Sequence, residues 1–363
     1  MFKLLTILGS VALGAPSIIN VAVNINEEID QNRISNTQII SSLDEKGNLY
    51  FENINENSNE LNSMYKRSIL TNLSWNFYDF AYSNEFIYEF YEGKGINVLN
   101  SKIRISNIDG KEIDTLKVTY NKPTFIQSVE VIGEIIYFVT YSFNVEGASW
   151  NLWSIEENKL NDLGVLDFGR NILTQNLTLL NYNNQLLINT IDELPQTGNT
   201  YLYRYTKENN LELMSQILDA ARRTDWNQEY TIFNGNLYIQ FSDGLYKFED
   251  KGSYFEYHNF EFNYPENLIS TEEKIYFTID NITEEGEIIG EIFMSFDGTI
   301  FKEEFITEHD DINSLITYDN VNFYITSYLN NEINKYNIDS NQLEYVANLK
   351  GDEIAKVKNV FIN

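Results

Sequence analysis

FNGNLYIQFSDGLYKFEDKG, Phe233 to Gly252, reads as two short strands around a reversal. Side chains alternate in Asn236–Phe241 and again in Leu245–Asp250, the period of two that sends successive residues to opposite faces of a strand. Ser242, Asp243 and Gly244 supply the residue types that tolerate a tight turn. Whether this is one hairpin or one copy of a repeat decides the fold.

It is a copy. An apolar-Tyr-apolar strand preceded by Asn, Gly, Glu or Lys recurs at Asn84–Tyr88, Gly133–Tyr137, Glu273–Tyr276 and Asn322–Tyr324, and Asn184–Leu187 is the same element without its Tyr. A second strand follows each, starting near Lys102, Leu152, Leu202, Leu245, Ile292 and Ile333; a third follows that, as at Leu211 or Leu343. The first copy, Asn36–Tyr65, lies over Asn183–Gln216. With Ile40, Tyr88, Tyr137, Leu187, Tyr238, Tyr276 and Tyr324 as equivalent positions, the intervals are 48, 49, 50, 51, 38 and 48 residues, making seven copies.

Four strands in each such interval predict an all-β chain, a seven-bladed β-propeller of four-stranded blades, because no single copy is long enough to bury both its faces. Glu134–Phe143 is apolar almost without alternation, as expected of a strand covered on both sides. Six copies have a further strand before the Tyr position, such as Thr124–Ile132 or Asn313–Asp319; the first has little room for one. Gly351–Asn363 has that strand's character and is expected to return and close the first blade, removing exposed sheet edges. The propeller is thus assigned to residues 36–363, with a polar linker at 25–35 and a signal peptide or N-terminal anchor at 1–24.

Composition narrows the function. The 363 residues carry 54 Asp plus Glu against 25 Lys plus Arg, a net charge of −29, so nucleic acid would be repelled rather than gathered. A solvated, self-repelling surface is the plain account of this acidity. The chain has no Cys and only two His, His258 and His309, which removes disulfides, thiolate chemistry and Cys-ligated zinc and leaves little material for a triad. Both His fall at a third-strand end or in a loop, where a surface role is the simpler account.

Met1–Ala15 has a Lys3-bearing start, an apolar run and small residues, then Pro16. This is the layout of an export signal, and apolar character continuing to Val23 keeps an uncleaved anchor as the alternative. Lys3-Leu4-Leu5-Thr6-Ile7-Leu8-Gly9-Ser10 resembles the start of surface lipoproteins of wall-less bacteria of the Spiroplasma type; the resemblance covers the leader alone. Those proteins attach lipid to a Cys at the leader's end, whereas Asn20–Asn24 has none, so export without lipidation is expected. Ser295-Phe296-Asp297-Gly298-Thr299-Ile300-Phe301 resembles the Asp-box of sialidases, one residue short and ending in Phe. That resemblance implies a turn-stabilising element away from any active site. Lys335–Leu349 is similar to kelch-like and YVTN-type repeats.

Propellers of this kind bind ligands mostly on the face carrying the loops between second and third strands and between blades. The longest inter-blade connection, Ile217–Gln228, groups Arg222, Arg223 and Trp226 in a chain of seven Arg, and Arg170 lies in the preceding such loop. Arginine forks match carboxylates or phosphates and Trp offers a flat face for a sugar or aliphatic group, so these four are the ligand-binding candidates. The competing account makes Ala220–Arg223 a short salt-bridged surface helix with Trp226 packed inside. Asp280–Glu287 is acidic but lacks the spaced register of a calcium loop. No catalytic set, metal site or cofactor is therefore assigned. The leading expectation is a monomeric, secreted or cell-surface binding or adhesion protein for an extracellular protein or glycan, meeting membrane only through an uncleaved anchor. A glycosidase or lactonase-like hydrolase using loop carboxylates is the alternative, and a structural cell-surface interaction subunit a third.

Overall fold

The computed structural model describes residues 38–362 apart from the segments 45–47, 56–59, 69–74, 84–85, 95–98, 108–110, 145–146, 169–173, 193–198, 207–209, 218–228, 242–243, 250–253, 260–265, 284–286, 307–311, 318–321, 328–331, 341 and 349–353. The expected leader and linker therefore lie outside the described residues. These hold strands and turns and no helix.

The strands make seven four-stranded antiparallel sheets. The first takes β1 (Gln38–Asp44), β2 (Asn48–Asn55) and β3 (Glu60–Ser68). The second holds β4 (Trp75–Ser83), β5 (Phe86–Gly93), β6 (Asn100–Asn107) and β7 (Glu112–Thr119). In the third are β8 (Thr124–Ile132), β9 (Ile135–Asn144), β10 (Gly147–Glu156) and β11 (Lys159–Val165). The fourth has β12 (Thr174–Tyr182), β13 (Gln185–Asp192), β14 (Asn199–Tyr205) and β15 (Leu211–Ile217). The fifth follows with β16 (Tyr230–Phe233), β17 (Asn236–Phe241), β18 (Gly244–Glu249) and β19 (Tyr254–Asn259). The sixth comprises β20 (Glu266–Ser270), β21 (Ile275–Ile282), β22 (Ile288–Phe296) and β23 (Phe301–Ile306). The seventh comprises β24 (Ile312–Thr317), β25 (Asn322–Ser327), β26 (Glu332–Asn337) and β27 (Gln342–Asn348). The last strand, β28 (Ile354–Ile362), pairs antiparallel with β1, Ile40 opposite Val360, so the first sheet runs β28-β1-β2-β3.

Local chemistry accounts for the hairpins. Asn183 and Asn184 both take positive φ (52° and 57°), as do Asn234 and Gly235 (50° and 73°); two such residues make the mirror-image turn whose twist matches the flanking strands. Asn and Gly tolerate that region where other side chains would be strained. Residues 242–243 of the opening stretch lie outside the described residues, but Gly244 pairs with Phe241 across them.

Among the described residues, the third, fourth, fifth and sixth sheets each enter two core clusters, one on either side. In β9, Ile136 and Phe138 enter a cluster with Ile87, Phe90 and Ile105 of the second sheet. Val139, on the alternate face, joins Leu177, Leu179 and Ile188 of the fourth. The fourth and fifth sheets share Leu187, Leu202, Tyr230 and Phe248, the fifth and sixth Phe233, Leu245, Phe277 and Phe296, and the sixth and seventh Tyr276, Phe293, Phe323 and Tyr336. Burying a Phe or Leu fully is worth about 1.5–3 kcal/mol, so the joints between sheets are the core.

The leading strands meet one another: β4 lies against β8, β8 against β12, β16 against β20, β20 against β24 and β24 against β28. At the opposite edges β15 meets β19 and β27 meets β3.

Candidate functional site

A strand that leads its sheet has one edge without a ladder partner, and its N–H groups must find acceptors elsewhere. Here side chains of neighbouring sheets supply them. Ser128 Oγ of β8 accepts the N–H of Leu179 in β12 at 3.1 Å. Tyr230 Oη of β16 accepts the N–H of Asn181 in β12 at 2.8 Å, while the Asn181 side-chain amide donates to the Val131 carbonyl at 2.9 Å. Glu229, just before β16, accepts the N–H of Leu268 in β20 through Oε2. Thr231 donates its hydroxyl to Ser270 Oγ at 2.8 Å, and Ser270 donates to the Ile232 carbonyl at 2.8 Å. Glu92 Oε1, at the end of β5, accepts the Ile126 N–H at 2.5 Å.

The centre of this arrangement is Glu130. Val129 and Val131 face the second sheet, so alternation turns Glu130 towards the fourth. Its Oε1 accepts the Val131 N–H at 2.9 Å, and its Oε2 accepts the Tyr230 hydroxyl at 2.9 Å from a strand 100 residues away. One carboxyl of the third sheet thus touches the fifth across the leading strand of the fourth.

Asp79 of β4, Glu130 and Glu229 are only 1%, 2% and 2% exposed. Burial pushes the Glu130 carboxyl up to about 8; hydrogen bonds from Tyr230 and the Val131 amide oppose the rise, and the Asp79 charge adds to it. Glu229 is raised to about 8, again by burial, against the Leu268 amide and with Glu266 adding repulsion. Glu92, half-buried, is raised by burial to about 7. In all three carboxyls burial disfavours the charged form, and the N–H and O–H groups that donate to them oppose that rise.

A second charged cluster crosses β5 and β6. Arg104 Nε lies 3.1 Å from Glu89 Oε2, the Tyr91 hydroxyl donates to the same oxygen at 2.5 Å, and Arg104 Nη2 donates to Tyr91 Oη at 2.6 Å. The Lys102 ammonium sits 4.6 Å from the Tyr91 ring centre and 5.0 Å from that of Trp75. Its charges compensate one another at the sheet face, a framing role rather than an open receptor.

The Asp297 turn is self-contained. Asp297 Oδ1 accepts the Thr299 N–H at 2.8 Å, its hydroxyl at 2.7 Å and the Ile300 N–H at 2.8 Å, and these bonds hold the carboxylate below its usual range. It clamps the β22–β23 hairpin.

Arg170, Arg222, Arg223 and Trp226 lie outside the described residues, as do His309 and residues 284–286 of the acidic loop. His258 lies in β19 opposite Leu245. Among the described residues no group of three or more His, Cys, Asp or Glu could hold a metal ion, and no helix is long and apolar enough to cross a membrane. Sequence reasoning passed over Glu130, Glu229, Glu92, Asn181 and Tyr230. For Glu130 the signal is an acid set inside an apolar run, Ser128-Val129-Glu130-Val131-Ile132, and Asp79 in Phe77-Tyr78-Asp79-Phe80-Ala81 shows the same pattern.

No family model and no curated protein matches the chain. Solved structures do resemble it. A proposed 6-phosphogluconolactonase from Bacteroides fragilis superposes with a TM-score of 0.57 at 10% identity, covering 91% of this chain and 99% of its own. Another from Bacteroides uniformis gives 0.57 at 10%, covering 89% and 99%. A prolyl endopeptidase gives 0.52 at 9%, covering 90% of this chain and 50% of its own. At such identity the likeness is one of fold. The chain has a β-propeller-like all-β fold.

Proposed function

We propose that the seven four-stranded sheets are the blades of one closed ring, with β28 completing the first blade, and that the ring is an exported, non-lipidated binding or adhesion scaffold. Its loops meet an extracellular protein or glycan, and Arg222, Arg223, Trp226 and Arg170 are the contact residues. The observation that supports this best is the employment of the leading-strand acids: Glu130 and Glu229 join neighbouring sheets through amides and a phenol, which makes them parts of the frame and leaves recognition to the loops. Paired Arg in a chain of net charge −29 adds the chemistry an anionic group needs.

A glycan array and a pull-down with the full chain test this. Arg222→Ala with Arg223→Ala should weaken capture roughly ten-fold or more, about 1.4 kcal/mol, with little change in melting temperature. A hydrolase is the second reading, supported by the half-buried Glu92 carboxyl poised at about 7. Turnover of a lactone or glycoside panel that disappeared in Glu92→Gln would decide for it.

A further inference from the structure

We propose that the joint between the second and third sheets, at the end where β5 stops and β6 starts, binds a primary ammonium group, with the Glu92 carboxylate as its charge partner and the hydroxyls of Tyr78, Ser101 and Tyr120 as further acceptors. This goes beyond the loop arginines, since it concerns other residues and a ligand of opposite charge, and it needs no turnover.

Register brings the four side chains together. Glu92 stands opposite Ser101 in the β5–β6 ladder, and Ser101 opposite Val118 in β6–β7; directly opposed residues share a sheet face at close range. Tyr120, two residues beyond Val118, packs on the same core cluster, and its N–H is tied to the Leu99 carbonyl at 2.7 Å. Tyr78 arrives through a bulge: Phe77 pairs with Tyr91 and Asp79 with Phe90, which makes Tyr78 the extra residue of β4, and a bulge re-aims its side chain. The Glu92 charge reaches both tyrosine hydroxyls, and the Ser101 and Tyr120 hydroxyls face each other. The third sheet adds the Ile126 N–H, on Glu92 Oε1 at 2.5 Å, and the Trp153 ring, centred 6.2 Å from that of Tyr120.

What these groups lack defines the ligand. Tyr78 and Ser101 are 8% and 0% exposed, and neither their hydroxyls nor that of Tyr120 reach a hydrogen-bond partner of good geometry, a costly state for a buried polar atom. Glu92 spends one oxygen on the Ile126 amide and, among the described residues, has no cation beside it. Asp79 adds a second negative charge next to Tyr78. An alkylammonium answers all of this: its three N–H groups donate to a carboxylate oxygen and two hydroxyl oxygens, and the Tyr120 and Trp153 rings are favourable neighbours for a cation. An anion would be repelled by Glu92 and Asp79, and a neutral alcohol gains no bond between opposite charges. Glu92 itself is half-buried, so the site opens to solvent.

Saturation-transfer NMR of the full chain, titrated with n-butylammonium chloride and separately with n-butanol, tests the site. Wild type is expected to bind the ammonium at least about tenfold more tightly than the alcohol of the same shape. Equal affinities, or no saturable binding of the ammonium, would overturn the proposal without any variant. Nα-acetyl-lysine methylamide as a third probe separates the sources of the group: binding tighter than butylammonium assigns a lysine side chain of a partner, and binding no tighter assigns a free small amine. Glu92→Gln should weaken the ammonium about tenfold or more and leave the alcohol unchanged. Tyr78→Phe should weaken it about fivefold while the urea midpoint stays or rises, because the hydroxyl removed has no partner in the fold. Loss of stability in Tyr78→Phe with ammonium binding intact would make that hydroxyl structural and sink the proposal.

Discussion

Tyr230 shows how much one side chain carries. Its ring fills the joint between the fourth and fifth sheets, and its hydroxyl accepts from Asn181 N–H and donates to Glu130. Tyr230→Phe keeps the ring and strands a buried amide, so a loss of about 1–3 kcal/mol is expected in urea unfolding. It should also push Glu130 further towards its protonated form, since a bond that favours the charged form is gone. An unchanged midpoint would remove Tyr230 from this joint. In the sequence Tyr230 reads as one more strand-former, because its partners lie 49 and 100 residues away. Asp297 was legible because the groups it binds are two and three residues on.

Strands were the most legible level. Thr124–Ile132, read as the further strand before a Tyr position, is β8, and Asn236–Phe241 is β17. Period two and turn residues are local properties, so no distant contact is needed to see them. Which cluster each face enters is not local. Phe293 of β22 is fully buried, its ring centre 5.5 Å from Tyr276, 4.8 Å from Phe305, 5.7 Å from Phe323 and 5.6 Å from Tyr336. Two of those partners belong to the seventh sheet. Phe293→Ala should therefore cost about 3–5 kcal/mol, whereas Ile300→Ala, at a residue 66% exposed, should stay within about 0.5 kcal/mol. Equilibrium denaturation distinguishes them, and similar losses at both sites would contradict an inter-sheet core at Phe293.

At the scale of the molecule, β28 is the element with the longest reach: it joins the two ends of the described chain through β1. Ending the chain before Ile354 would bare the β1 edge and leave its sheet three-stranded, a template for association with another chain. The truncated protein should lose its single cooperative unfolding transition and sediment as larger species. A sharp monomeric transition like that of the full chain would mean that the first sheet stands without β28.

The amino-acid order alone determined the repeat, the strand character and the absence of thiol chemistry, since each depends on residue types at short spacing. It also marked Arg222, Arg223 and Trp226 by their rarity in an acidic chain. Tertiary structure decided what the acids inside apolar strands do. Glu130 within Ser128–Ile132 carries no local sign of its partner; only the stacking of the third, fourth and fifth sheets brings Tyr230 to it. A carboxyl's charge state depends on who is near it in space and how much water remains there, and neither quantity is written in neighbouring residues.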